Sequence, residues 1–183
     1  MIDSPITLAM TTAWALSQVF AAIPIKFEVL GYTTQSVLIP GTAKGDAYVR
    51  HHPLNVLLIK RFDEPVSATL FRRLSFVANC GVDMVDNVDG ESLLIGYKRL
   101  MARSEARKIM MVLSDGLPAS PGNQAALQAH LKAVAMKIES EIELIAFGFG
   151  DGNVSEYYSH AIPIDDANDL PTRVVEELST LLI

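Results

Sequence analysis

Apolar runs and helix-period patterns alternate along the 183 residues. The pattern predicts a helix over Ile6–Ala22 with Pro5 in its first turn, then a strand over Ile25–Leu30 broken by Gly31. Val37–Ile39 reads as a partner strand. Gly41–Glu64, with its glycines, histidines and two prolines, reads as an irregular insertion. Helices follow at Val66–Ala78, through Leu70, Leu74 and Val77, and at Glu91–Ala102. Lys108–Leu113 contains the uniformly apolar run Ile-Met-Met-Val-Leu, the pattern of a strand buried on both faces. A helix at Asn123–Ile138, a strand at Ile142–Phe147 and a turn with Gly148, Gly150 and Gly152 come next. A short helix at Val154–Tyr158, the apolar Ile162–Ile164 and a last helix at Asp169–Leu181 complete the chain. Strands alternating with helices of this length imply a single α/β domain over 1–183, with a mostly parallel sheet covered on both faces.

Composition narrows the class. Half the chain is hydrophobic and a fifth is charged, as in a folded globular protein. The net charge of -6 and the lack of a Lys/Arg-rich face argue against nucleic acid as the partner. Ser4–Ile25 is apolar enough to raise the question of a membrane anchor. It carries Thr7, Thr11, Thr12, Ser17 and Gln18 and no basic leader, so it reads as a helix of a soluble domain with no membrane partner. Cys80 is the only cysteine, which excludes an intrachain disulfide and points to a cytoplasmic setting.

Candidate chemistry lies where strands end. Met110–Leu113 runs into Ser114-Asp115-Gly116, a carboxylate and a glycine turn at the carboxyl end of a buried strand. Ligands of open α/β sheets bind at that position, and an acidic group there suits Mg²⁺. The competing role for Asp115 is to cap the following turn. Asp83, Asp86, Asn87, Asp89 and Gly90 form a second polar cluster ahead of a helix, and Thr33 and Thr34 follow the strand ending at Leu30. Both groups also suit plain turns. His51 and His52 are adjacent, read as solvent-facing loop residues. No P-loop, HExxH or GxSxG motif occurs, and the glycines after Phe147 do not form a GxGxxG pattern.

Taken in order, several segments resemble the C-terminal von Willebrand factor A-type domain of the cobaltochelatase subunit CobT. They are Pro5-Ile6-Thr7, Val29–Thr34, Asp89-Gly90-Glu91-Ser92-Leu93 with Lys98-Arg99-Leu100, and Arg107–Met111. The series continues with Ser114–Pro118, Pro121-Gly122-Asn123 and Phe147–Gly150 ahead of Tyr157-Tyr158. The resemblance implies a Rossmann-like three-layer sandwich with a metal-ion-dependent adhesion site built from three loops. The third loop falls on Asp115. The second falls on Asn87–Asp89, where the family's common Thr is replaced, and Thr33 offers a hydroxyl nearby. The first, an Asp-x-Ser-Gly-Ser loop, would precede Met1, so the first central strand is expected to be missing. Mg²⁺ held by Asp115, Asn87, Asp89 and Thr33 alone is then expected to bind weakly. Unpaired sheet edges are expected to favour self-association.

The resemblance further implies a non-catalytic adaptor. Its partners would be an AAA+ ATPase subunit and the large subunit of a chelatase that inserts cobalt in cobalamin biosynthesis. Two alternatives stand beside it: an A-type adaptor of another AAA+ remodelling system, or a truncated scaffold that binds no metal. A small enzyme using Asp115 with Asp86 or Asp89 is the reading from a different class.

Overall fold

A computed structural model describes residues 5–40, 50–79, 82, 85–114, 117–149, 154–164 and 166–181. Its helices are α1 (Pro5–Ala21), α2 (Ala68–Ala78), α3 (Asp89–Met101), α4 (Gln124–Glu139) and α5 (Leu170–Leu181). Its strands are β1 (Val29–Thr34), β2 (Leu54–Lys60), β3 (Ile109–Ser114), β4 (Glu143–Phe149) and β5 (Ala161–Ile164). Short 3₁₀ turns lie at Val154–Glu156 and Ala167–Asp169. The class is α/β, and β1 pairs with β2 while β3, β4 and β5 form a sheet in that order. β3 and β4 run parallel, from Ile109 opposite Glu143 to Ser114 opposite Gly148.

The chain groups into two compact units: residues 1–31, 57–82 and 164–183, and residues 32–56 and 83–163. In the first, Ile59, Leu70, Leu74, Val77 and Ala13 form a buried cluster, flanked by Met10, Trp14 and Val29. Helix α2 is capped by Ser67, whose hydroxyl accepts from the Thr69 N–H at 3.3 Å, and it turns its Leu70, Leu74, Val77 stripe into that cluster. Lys60 is buried here. Its ammonium donates to the carbonyls of Phe27 and Arg61, both at 2.9 Å, and lies 3.9 Å from the centre of the Phe27 ring. Burial pulls its pKa down, against the raising effect of Glu64, Asp63 and Glu28.

In the second unit the core is Leu93 from α3, Val112 from β3, Leu131, Val134, Ala135 and Ile138 from α4, Leu144 and Ala146 from β4, and Val154, Tyr157 and Tyr158. Helix α4 is capped by Asn123, whose side-chain oxygen accepts from the Ala126 N–H at 3.1 Å. Gly148, near the end of β4, lies so close to Val154 that a Cβ there would collide with its Cγ2.

Three expectations change. The stretch 41–64 is not irregular throughout, because Leu54–Lys60 is strand β2. The run Leu-Asn-Val-Leu-Leu-Ile has the burial of a strand, and the histidines and Pro53 ahead of it mark its start. Val37–Ile39 is not a strand, although the Gln35 N–H bonds the Pro53 carbonyl and the Ile39 N–H bonds the His51 carbonyl. Those partner numbers fall as the first rise, so the chain after β1 follows the chain before β2 in antiparallel fashion. Finally, His51 and His52 are not solvent-facing but buried, at 6% and 9% exposure. The side chain of His51 packs against Gly122, whose φ of +119° only glycine adopts readily. No helix among the described residues is long and apolar enough to cross a membrane.

Candidate functional site

Strand β1 ends in two threonines whose hydroxyls are spent on a loop some fifty residues away. The Thr33 hydroxyl accepts from the Val85 N–H at 3.1 Å and donates to the Asp86 carbonyl at 3.3 Å. The Thr34 hydroxyl accepts from the Asp86 N–H at 3.1 Å. Both threonines are buried, so these bonds replace water that the loop backbone cannot reach.

The next residue ties the loop to the segment after β3. Asn87 and Ala119 exchange backbone hydrogen bonds at 3.0 and 3.1 Å, and Asn87 Nδ2 donates to the Leu117 carbonyl at 2.9 Å. Three pieces of chain therefore converge: the end of β1, residues 85–89 and residues 117–119. Helix α3 starts in this cluster, at Asp89 rather than at Glu91. It carries Asp89 and Glu91 in its first turn, where the helix dipole favours negative charge. Glu91 accepts both oxygens' worth of contact from Arg50 Nε, at 3.0 and 3.2 Å, and Arg50 Nη1 donates to the His52 carbonyl at 3.1 Å.

Of the four residues predicted to hold a metal, Thr33, Asn87 and Asp89 lie in this cluster, and Asp115 lies outside the described residues. Cys80, Asp83, Gly150 and Gly152 lie outside them too. Thr33 keeps one hydroxyl lone pair after its two hydrogen bonds. Asn87, donating through its nitrogen, leaves its side-chain oxygen as the group for a cation. Asp89 is almost wholly buried. Asp86, counted in the polar cluster but not among the ligands, has a carboxylate oxygen, Oδ2, that is buried with no hydrogen-bond partner. The oxygen donors of Thr33, Asn87 and Asp89 fit Mg²⁺ chemistry. Among the described residues, no three His, Cys, Asp or Glu side chains group as a metal cluster.

A hollow of about 740 Å³ lies elsewhere, at the amino ends of β3 and β4. Two of its carboxylates are engaged by neighbours: Arg107 bonds Glu143 at 2.7 and 2.9 Å, and Glu141 accepts from the Tyr97 hydroxyl. That pairing pulls the Glu143 pKa down and pushes the Tyr97 pKa up. This hollow offers no nucleophile paired with a base.

Asp89 also acts on the tyrosines beneath the cluster. Burial, then Asp89, then Glu139 push the pKa of Tyr158 far above its ordinary value near 10. Tyr157 shifts the same way, through burial, then Glu156, then Asp89. A phenol whose folded pKa is raised contributes stability that is complete below the unfolded pKa and is lost as pH climbs past it. Unfolding free energy should therefore fall by about 1.4 kcal/mol per pH unit above pH ~10 for Tyr158. Lys60 opposes this, since its lowered pKa makes the fold gain stability as pH rises toward 10.5. Above pH ~10.5 the Lys60 contribution no longer changes, and the Tyr158 loss stands alone. Urea melts between pH 9 and pH 11 should show the loss in the native protein and a shallower one in Tyr158→Phe. Parallel slopes in the two proteins would refute the assignment.

Residues 1–183, the whole chain, match the family model described as "Cobalamin biosynthesis protein CobT VWA domain". No solved structure matches the chain.

Proposed function

The chain belongs to the family of CobT VWA domains of cobalamin biosynthesis, and we propose that within it the chain serves as a docking module rather than as the seat of chemistry. The observation that carries this reading is the latch of Thr33 and Thr34 on residues 85–86, continued through Asn87 to Leu117 and Ala119. It holds loops from three parts of the chain in one place, which is what a recognition surface needs and what a scattered set of turns would not supply. Arg50 and Glu91 close one side of the cluster as an ion pair with both partners about three-quarters buried.

The partners we propose are an AAA+ ATPase subunit and the large subunit of a cobalt-inserting chelatase, in the cytoplasm. Asn87, Asp89 and Asp115, with Thr33, would hold Mg²⁺, and the ion would supply an open coordination position for a carboxylate of the partner. The chain's own groups set where that position lies, because the hydroxyls of β1 fix residues 85 and 86 and the amide of Asn87 fixes the segment after β3.

The test is reconstitution from three purified components. Cobalt insertion is expected only when this protein, the ATPase and the large subunit are mixed, and the protein alone should neither hydrolyse ATP nor insert metal. Sedimentation should show a complex that EDTA weakens and that Asp115→Ala weakens by about tenfold or more. Cobalt insertion at full rate without this protein would end the proposal. Binding to the ATPase alone, with no affinity for the large subunit, would favour an adaptor of a different remodelling system.

A further inference from the structure

His52 sits beside the cluster and is aimed in a way the docking reading does not use. Its Nδ1 lies 3.3 Å from the Val37 carbonyl. A carbonyl only accepts, so Nδ1 is the donor of that contact, and Nε2 is the ring nitrogen turned toward Asp86. It lies 3.8 Å from Asp86 Oδ2. Both side chains are close to nine-tenths buried, with 11% and 13% exposure, and Asp86 Oδ2 has no hydrogen-bond partner. Nε2 thus faces a buried, unpartnered carboxylate oxygen beyond hydrogen-bond distance, and a cation held between the two would satisfy both.

The separation discriminates between the charges. A proton shared as a hydrogen bond would draw nitrogen and oxygen to about 2.7–3.2 Å. A zinc-class ion with bonds of about 2.0–2.2 Å holds two tetrahedral donors roughly 3.4 Å apart, within a few tenths of an ångström of the observed spacing. Imidazole with a carboxylate is a donor pair for transition metals and not for Mg²⁺. The ring is oriented as metal-binding histidines usually are, with its other nitrogen donating to a backbone carbonyl. Arg50 Nη1 donates to the His52 carbonyl, while its Nε–H is shared between the two carboxylate oxygens of Glu91.

We propose that His52 Nε2 and Asp86 Oδ2 are paired ligands for a divalent transition metal of the zinc class, in a site separate from the oxygen-donor site for Mg²⁺. Two protein donors leave coordination positions for water or for a donor group of a partner.

The test uses ZnCl₂ titrated by calorimetry into the intact protein, with Cu²⁺ electron paramagnetic resonance as a second readout. One equivalent of zinc should bind, excess Mg²⁺ should not displace it, and His52→Gln and Asp86→Asn should each weaken it by about tenfold or more. Bound Cu²⁺ should show nitrogen hyperfine coupling in the native protein that is lost in His52→Gln. Asp115→Ala, expected to weaken Mg²⁺ and partner binding, should leave zinc uptake unchanged, so the two readings fail separately. Zinc affinity unchanged in both variants, or no zinc uptake by the native protein, would overturn the proposal and leave a proton as the charge between the two residues. If either variant fails to fold, the Cu²⁺ spectrum of the native protein decides alone: no nitrogen coupling, no site.

Discussion

Replacing Phe147 by alanine should lower the unfolding free energy by about 3–5 kcal/mol, the range for removing a buried phenyl ring. Phe147 has no solvent exposure and is the largest of the fully buried side chains among the described residues. It lies in β4, opposite Leu113 of β3 in the parallel ladder, so no backbone movement can close the hole without breaking that pairing. A domain of this size has about 5–15 kcal/mol in total, so the variant should sit near the edge of folding at ordinary temperature. Phe147→Leu, which keeps most of the volume, should cost less than about 1.5 kcal/mol. Urea denaturation followed by circular dichroism measures both. An alanine variant within 1 kcal/mol of the native protein would mean that this strand is not where the core is anchored.

Thr34→Val should have the largest effect on the site for the smallest change of shape. Valine fills the volume of threonine but offers no acceptor, so the Asp86 N–H would be left without a partner in a buried place. The expected loss is about 1–3 kcal/mol, the cost of an unsatisfied buried donor. Thr34→Ser, which keeps the hydroxyl, should recover most of it. The more informative readout is binding, because residues 85–89 would no longer be held in place. Partner affinity should fall in the valine variant even at temperatures where circular dichroism shows it fully folded. Native affinity in a folded Thr34→Val protein would separate the latch from recognition.

The sequence was most readable where local physics decides the outcome. Strand β3 is a run of Ile-Met-Met-Val-Leu that no amphipathic helix would use, and α4 announces its start through the Asn123 cap. The alternation of the two implied the α/β class and the parallel pairing. Reading failed where long-range contacts decide. Strand β2 was hidden behind His51, His52 and Pro53, residues that usually mark loops. The burial of the two histidines depends on Gly122 and Asp86, which are far away in the sequence. The start of α3 at Asp89 was missed because Asp and Gly read as turn formers, although acidic residues also favour a first helical turn. At the candidate site, Thr33, Asn87 and Asp89 could be singled out from residue type and resemblance. That the hydroxyls of β1 bind the backbone of residues 85 and 86 could not, since nothing local links positions 52 apart. Asp86 was seen as part of an acidic cluster, and only its unpartnered oxygen beside His52 sets it apart.

The contact between Gly148 and Val154 constrains how this protein can drift. Position 148 has no room for a methyl group because the two methyls of Val154 already occupy the space, and Val154 is itself enclosed. A substitution that adds bulk at 148 becomes tolerable only after 154 has shrunk to alanine or glycine. A smaller residue at 154 in turn opens a cavity that bulk at 148 would fill. Across related chains the two positions should therefore trade volume as a pair, and an alanine at 148 beside an intact valine at 154 should be rare.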